Sequence, residues 1–304
     1  MKVYKLFPHT TDNIWGGNRL REYGKESEKD RIAESWELSF YKNSEAKISD
    51  GRTLDEAFPA SKWGKNCVKF KEFPVLTKLI DAKQKLSVQV HPSDEYALQN
   101  EGQYGKTEMW YIVSATEGSG IYLGFSKEYT KEEIEKALAE ETLEKLLCFK
   151  EVKAGESYFI PAGTVHAIGD GVLIFEVQQN SAVTYRLYDY GRLDVDGRKR
   201  DLHIQKALDV ANLSTYKGYT RADGKDEVIS KCSYFEVKKF KLNFTHEFEI
   251  DESSFLSLTC VFGEGEIEGI PFGAGDSFFV PAENGRIVVN TKNAEILTVS
   301  VPAE

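Results

Sequence analysis

The sequence predicts a mainly β protein made of two barrel-like units with one short helical excursion. Three observations carry this reading. Short runs of alternating apolar and polar residues recur along most of the chain, Gly, Pro, Asn and Asp break them at close intervals, and one strand-turn pattern occurs twice. At 304 residues such a chain buries about three quarters of its unfolded surface, enough for one large domain or two ordinary ones.

In chain order, "TLDEAF" from Thr53 reads as a short helix, and "FPVLTKLIDA" as an apolar strand carrying Lys78. In "LSVQVHPSDE" (86–95) extended backbone sends Val88 and Val90 to one face and Ser87, Gln89 and His91 to the other. Pro92 removes a ladder donor and leaves His91 at the mouth of the strand. "EMWYIVSA", "GIYLGF", "GESYFIPAG" and "GVLIFEVQQ" continue the β pattern. Between them "TKEEIEKALAEETLEKLLCF" (130–149) predicts the helical excursion, with Thr130 and Glu133 as a capping box and Ile134, Ala137, Leu138, Leu143, Leu146 and Leu147 at helical spacing. "DLHIQKALDVAN" predicts another helix, after which "SYFEVKKFKLNF", "FLSLTCVFG", "GDSFFVPA" and "RIVVN" return to strands.

The repeat pairs "GESYFIPAGTVHAI" from Gly155 with "GDSFFVPAENGRIV" from Gly275. Ser157 matches Ser277, Phe159 matches Phe279, and Pro161–Ala162 matches Pro281–Ala282, whereas Gly163 becomes Glu283 and His166 becomes Arg286. If His166 is a metal ligand, only the first unit keeps the metal. The expected division is a metal-binding unit at 1–220 and a metal-free unit at 221–304.

Charge and cysteines narrow the function. With 39 basic and 49 acidic residues and a net charge of −10, the chain lacks the counter-charge that a nucleic-acid or anionic-membrane surface needs. No run approaches the roughly 18 apolar residues of a membrane span. The four cysteines lie far apart without a C-x-x-C pair, and no apolar signal segment follows "MKVYKLFPHT". A reduced, cytoplasmic protein with its thiols as core fillers is expected.

Gly155, Pro161, Gly163 and His166 have the spacing of the second cupin motif, and Gln89-x-His91 followed by Glu108 stands where the first motif normally has His-x-His and a glutamate. This makes the expected architecture two cupin-type jelly-roll β-barrels. Two imidazoles, a carboxylate and an amide oxygen suit a divalent ion such as zinc with one position open to water or substrate. Taken singly, each residue also has an ordinary structural role; the joint spacing favours a metal. His9, His203 and His246 lack such context and read as ordinary polar residues.

"FPVLTKLIDAKQKLSVQVHPSDEYA", "GKTEMWYIV", "IPAGTVHAIGDGVLIFEVQQNSAVTYRLYDYGR", "IWGGNRL" and "AESWELS" resemble class I mannose-6-phosphate isomerase in its short bacterial form, over most of residues 1–215 and more loosely beyond. The resemblance implies one zinc per chain on Gln89, His91, Glu108 and His166. It also implies a sugar-phosphate substrate, with mannose 6-phosphate and fructose 6-phosphate interconverted through a cis-enediol. That chemistry needs a base near C1 and C2, an electrophile for the oxygens and a cationic phosphate site. Lys106, two residues before Glu108, is expected to share its face. Arg186 matches the arginine the family needs, and Glu176, facing with Ile174 and Gln178, is the candidate for proton transfer. Lys106 also reads as a solvated loop charge, and Glu176 with Arg186 as an ion pair. The run Arg192, Arg198, Lys199 and Arg200 reads first as a solvated turn from which one side chain could reach the phosphate, Lys78 reads as either structural or functional, and Trp15 and Trp36 read as packing. Another metal-dependent cupin enzyme, such as an iron oxygenase, and a non-catalytic sugar-binding cupin are the competing readings; a monomer or small homo-oligomer is expected.

Overall fold

The computed structural model describes residues 3–194, 196–221 and 227–303 and is mainly β, with its strands in three sheets. Alternation along the strands decides what each sheet face covers. A seven-stranded sheet runs in the order Thr220–Arg221, Ser157–Ile160, Glu108–Ala115, Val172–Gln179, Val75–Ala82, Glu34–Leu38 and His9–Thr11. A five-stranded sheet, in the order Tyr185–Tyr188, Val88–Val90, His166–Ile168, Gly120–Phe125 and Leu147–Glu151, packs against it. Ile80, Trp110, Ile112 and Ile174 from the first meet Ile121, Leu123 and Ile168 from the second in one core. Val88, Val90, Ala167 and Leu187 point out of the other side of the five-stranded sheet. There Ile134, Leu143, Ala207 and Leu208 cover them.

The third sheet, of eight strands, holds the C-terminal unit. Its inner core includes Leu258, Phe278, Ile287 and Ile296. Val237, Phe279, Leu297 and Val299 instead share a core with Val75, Leu79, Met109, Phe175 and Val177. The seven-stranded sheet is thus covered on both faces, which explains why the strand Val172–Gln179 is buried at every residue. Tyr4–Lys5, from the N-terminal end, crosses over to pair with Ser277–Val280.

The repeat is structural as well as sequential. Ser157 and Ser277 each open a four-residue strand, and Gly163 (φ 84°) and Glu283 (φ 61°) share a left-handed backbone despite their different side chains. At Gly163 a Cβ would come within 3.0 Å of the Val210 carbonyl, so the first copy needs glycine, while Glu283 is exposed. His166 is turned inward and buried. Arg286 is exposed and pairs with Glu247 at 3.0 Å.

The expected helix over 130–149 is interrupted. The capping box of Thr130 and Glu133 forms, but the α-helix covers only Lys131–Ala139. Glu141 takes φ 54°, a single turn follows at Leu143–Leu146, and Leu147–Glu151 is an edge strand against Gly120–Phe125. Pairing with that strand overrides the helical spacing of Leu146 and Leu147. "TLDEAF" and "DLHIQKALDVAN" do form helices, at Leu54–Ala57 and Ile204–Val210. A helix at Asp94–Asn100 was not expected. Cys67 and Cys260 are core fillers, whereas Cys148 is exposed because its strand lies at the sheet edge.

A buried ion pair within the first unit reaches the second: Lys25 Nζ lies 2.8 Å from Glu37 Oε1 and donates to the Gly275 carbonyl of the repeat turn. Removing the carboxylate leaves a buried ammonium uncompensated. Glu37→Ala is therefore expected to lose about 3–5 kcal/mol of unfolding free energy in a urea titration.

Candidate active site

Strand register brings the motif residues together. Gln89 pairs with His166 on one side and with Arg186 on the other, so the three stand in one cross-strand row. His91 follows the end of the strand, as Pro92 requires. From the facing sheet come Glu108, the first residue of its strand, and Glu176, whose register neighbours are Trp110 and Lys78. Lys106 precedes that strand rather than lying in it. Its amide is held by the Pro92 carbonyl at 3.0 Å, yet its side chain still reaches Glu108.

His91, Glu108 and His166 form a buried cluster whose candidate ligand atoms lie within 4.8 Å of one another. His91 Nδ1 donates to the Val183 carbonyl and His166 Nδ1 to the Thr164 carbonyl, each at 2.9 Å. These bonds fix the tautomers and leave both Nε2 lone pairs facing inward. The Nε2 atoms stand 3.5 and 3.4 Å from the two Glu108 oxygens. The Gln89 amide is 3.4 Å from His166 Nε2. His91 Nε2 and Glu108 Oε1 are buried without a hydrogen-bond partner, a costly arrangement unless a cation or proton is shared among them. Two nitrogens, a carboxylate and an amide oxygen are a donor set that fits a borderline divalent ion.

Two lysines balance the carboxylates. Lys106 Nζ is 2.9 Å from Glu108 and 3.6 Å from Glu176. Lys78 Nζ is 3.9 Å from Glu176 and 3.6 Å from Glu34, over the Trp36 ring at 4.2 Å. Trp110 Nε1 donates to Glu176 at 3.0 Å. Burial opposes the charge of Glu108, but the Lys106 ammonium holds its carboxyl well below the usual range. Burial, with Glu108 nearby, instead raises Glu176. Burial pushes His91 down to about 3, with Lys106 reinforcing it, and also lowers His166.

A cleft of about 340 Å³ opens beside the cluster. Gln89, Lys106 and Glu176 line one part of it, and Arg186, Arg200 and His203 another. Arg186 donates from Nε to Ser87 Oγ at 3.3 Å and from a terminal nitrogen to the Asp201 carbonyl at 2.8 Å, while Glu176 pairs with Lys78 and Lys106, so the alternative reading of Glu176 and Arg186 as an ion pair does not hold. Its backbone amide bonds His203 Nδ1 at 3.2 Å. Arg200 forks onto Asp189 at 2.8 and 2.6 Å, and Arg192 pairs with the same carboxylate. Arg198 is exposed. Sequence reasoning overlooked Glu34 and dismissed His203; neither has a spacing signal, since Glu34 enters through sheet register and His203 through its contact with Arg186.

The fold and this cluster define a cupin-type enzyme scaffold with a candidate metal centre. A family model described as phosphomannose isomerase type I, catalytic domain, matches residues 3–123, and one for the mannose-6-phosphate isomerase cupin domain matches 225–301. The mannose-6-phosphate isomerase ManA of Bacillus subtilis is 36% identical over 289 residues, covering 90% of this chain and 91% of that protein. The mannose-6-phosphate isomerase of Streptococcus mutans is 37% identical over 282 residues, covering 88% and 89%. A crystal structure of the Bacillus subtilis mannose 6-phosphate isomerase superposes with a TM-score of 0.89 at 32% identity, covering 98% of this chain and 99% of that one. The chain belongs to the type I phosphomannose isomerase family.

The burial of His91 has a pH consequence. Its folded value near 3 lies below its unfolded value of 6.5, so the unfolded state takes up the proton first. The resulting stability is present above pH 6.5 and lost as pH falls toward 3. Urea unfolding of metal-stripped protein is expected to weaken over that window, with a shallower slope in His91→Gln.

Proposed function

We propose that the chain interconverts mannose 6-phosphate and fructose 6-phosphate by moving a proton between C2 and C1 through a cis-enediol, with one zinc ion per chain held by Gln89, His91, Glu108 and His166. The observation that carries this reading is the buried His91–Glu108–His166 cluster, with lone pairs turned inward beside a cleft holding Lys106, Glu176 and Arg186. The names of the relatives support the sugar-phosphate substrate. When bound, zinc supplies Lewis acidity toward the hydroxyl and carbonyl oxygens of the substrate.

The chain's own residues do the rest. Glu176 is the candidate proton carrier, because burial, with Glu108 nearby, raises its carboxyl above the usual range while Trp110 donates to one of its oxygens. Lys106 keeps Glu108 ionised and lines the cleft where negative charge develops on substrate oxygen. Arg186, with Arg200 and His203 beside it, is the candidate anchor for the phosphate, since a guanidinium offers paired donors to its oxygens. Residues 1–220 carry this machinery on this reading, and 221–304 form the metal-free companion. Among the described residues no helix is long and apolar enough to cross a membrane, and four free cysteines support a cytoplasmic setting.

The deciding experiment couples metal analysis to an assay for fructose 6-phosphate. His166→Ala is expected to lose zinc and turnover together, and turnover that persists without metal would refute the reading. Arg186→Ala is expected to keep its zinc while kcat/KM falls about 100-fold or more, the scale of a misplaced substrate. A near-normal rate in that variant returns Arg186 to a structural role.

A further inference from the structure

The segment that carries Lys106 is tied at each successive amide. Asp94 Oδ1 accepts from the Gly105 amide at 2.8 Å, the Pro92 carbonyl accepts from the Lys106 amide at 3.0 Å, and Gln179 Oε1 accepts from the Thr107 amide at 2.8 Å. The two side chains that do this are themselves joined, Gln179 Nε2 donating to Asp94 Oδ1 at 2.9 Å. A Cβ on Gly105 would stand 2.5 Å from the Pro92 carbonyl oxygen, so this stretch is packed directly on the turn that follows His91. Asp94 is the node, and its other oxygen is bound from outside the unit. Tyr234, in the turn between the strands Glu227–Lys231 and Glu236–Leu242 of the C-terminal sheet, donates its hydroxyl to Asp94 Oδ2. The Tyr234 ring packs on Phe70 at 5.6 Å.

We propose that Tyr234 is a positioning residue for Lys106: from the metal-free unit it fixes Asp94, Asp94 fixes the Gly105 and Gln179 groups, and these set where the Lys106 ammonium stands between Glu108 and Glu176. The coupling follows from hydrogen-bond geometry alone. Its kinetic consequence rests on the isomerase reading above. Without the phenol, Asp94 loses a hydrogen bond to a charged acceptor, and interactions of that kind change a local opening equilibrium on the order of tenfold.

The test uses the full-length, zinc-loaded chain and compares Tyr234→Phe with Val237→Ala, which removes buried bulk from the same interdomain core without touching Asp94. Amide hydrogen exchange at residues 105–107 is expected to quicken on the order of tenfold in Tyr234→Phe and to stay at the wild-type rate in Val237→Ala. With mannose 6-phosphate, kcat is expected to fall several-fold in Tyr234→Phe while KM and zinc content stay within about twofold, since the metal ligands and the phosphate end are untouched. Asp94→Asn, which removes the charge but keeps the shape, is expected to move both readouts the same way. Unchanged exchange at 105–107 in Tyr234→Phe, or an equal rise in Val237→Ala, overturns the proposal. Absence of turnover in the wild type would instead count against the isomerase reading, and the exchange comparison would still decide the coupling.

Discussion

Two carboxylates, Glu108 and Glu176, are buried between the sheets and share the ammonium of Lys106, and most of the site follows from that. An isolated buried carboxylate costs several kcal/mol. Lys106, at 2.9 Å from one and 3.6 Å from the other, is shared between them, and the second ammonium near Glu176, Lys78 at 3.9 Å, is itself shared with Glu34. The field divides them: Glu108, with the closer contact to Lys106, stays ionised, while Glu176 is raised. Such a pair titrates as a unit, and two acids pushed apart by their surroundings are suited to different tasks. The ionised member faces the imidazole lone pairs, and the member with the raised pKa lines the cleft.

That arrangement needs a dry and rigid wall, which the central sheet supplies. Leu173, Phe175 and Val177 sit in the interdomain core while Ile174, Glu176 and Gln178 face the other way. A one-residue slip of this strand would exchange Glu176 for Phe175 in the site and place a carboxylate in the apolar core. The two cores therefore fix the register that the chemistry depends on. The C-terminal unit contributes to that apolar lock through Val237, Phe279, Leu297 and Val299, which gives a unit without the His166 counterpart a physical reason to be present.

What could be read in the sequence was what depends on local period. Alternation assigned the faces of Val88–Val90 and of Val172–Gln179, and the repeat set Arg286 opposite His166, one exposed and the other buried in the structure. Lys106 was expected beside Glu108 by strand alternation, yet it lies ahead of the strand and arrives there through the Pro92 carbonyl and the packed Gly105. The right neighbour came from an incomplete reason. Glu34 and the place of Lys78 beside it depend on cross-strand register between segments about forty residues apart in the chain, which no local pattern encodes. The helix expected through Leu147 failed for a related reason, since a free sheet edge at Gly120–Phe125 recruited those residues. Asp94–Asn100 is too short for its period to stand out.

Gln89 is where the chemistry departs from the more usual histidine pair. The His166 Nδ1 proton is committed to a backbone carbonyl, so His166 Nε2 offers only a lone pair. A histidine at position 89 held in the same tautomer would set a second lone pair against it. An amide has a donor at one end and an acceptor at the other. Gln89 can face His166 with its N–H, as it does at 3.4 Å, or present its oxygen to a cation after a half-turn of its last torsion, at little conformational cost. The amide oxygen is a weaker donor than imidazole, so on the proposed reading a divalent ion there would keep more of its Lewis acidity for substrate oxygens. A glutamine in this row therefore suits polarisation of a sugar oxygen, a task in which the metal need not change its oxidation state.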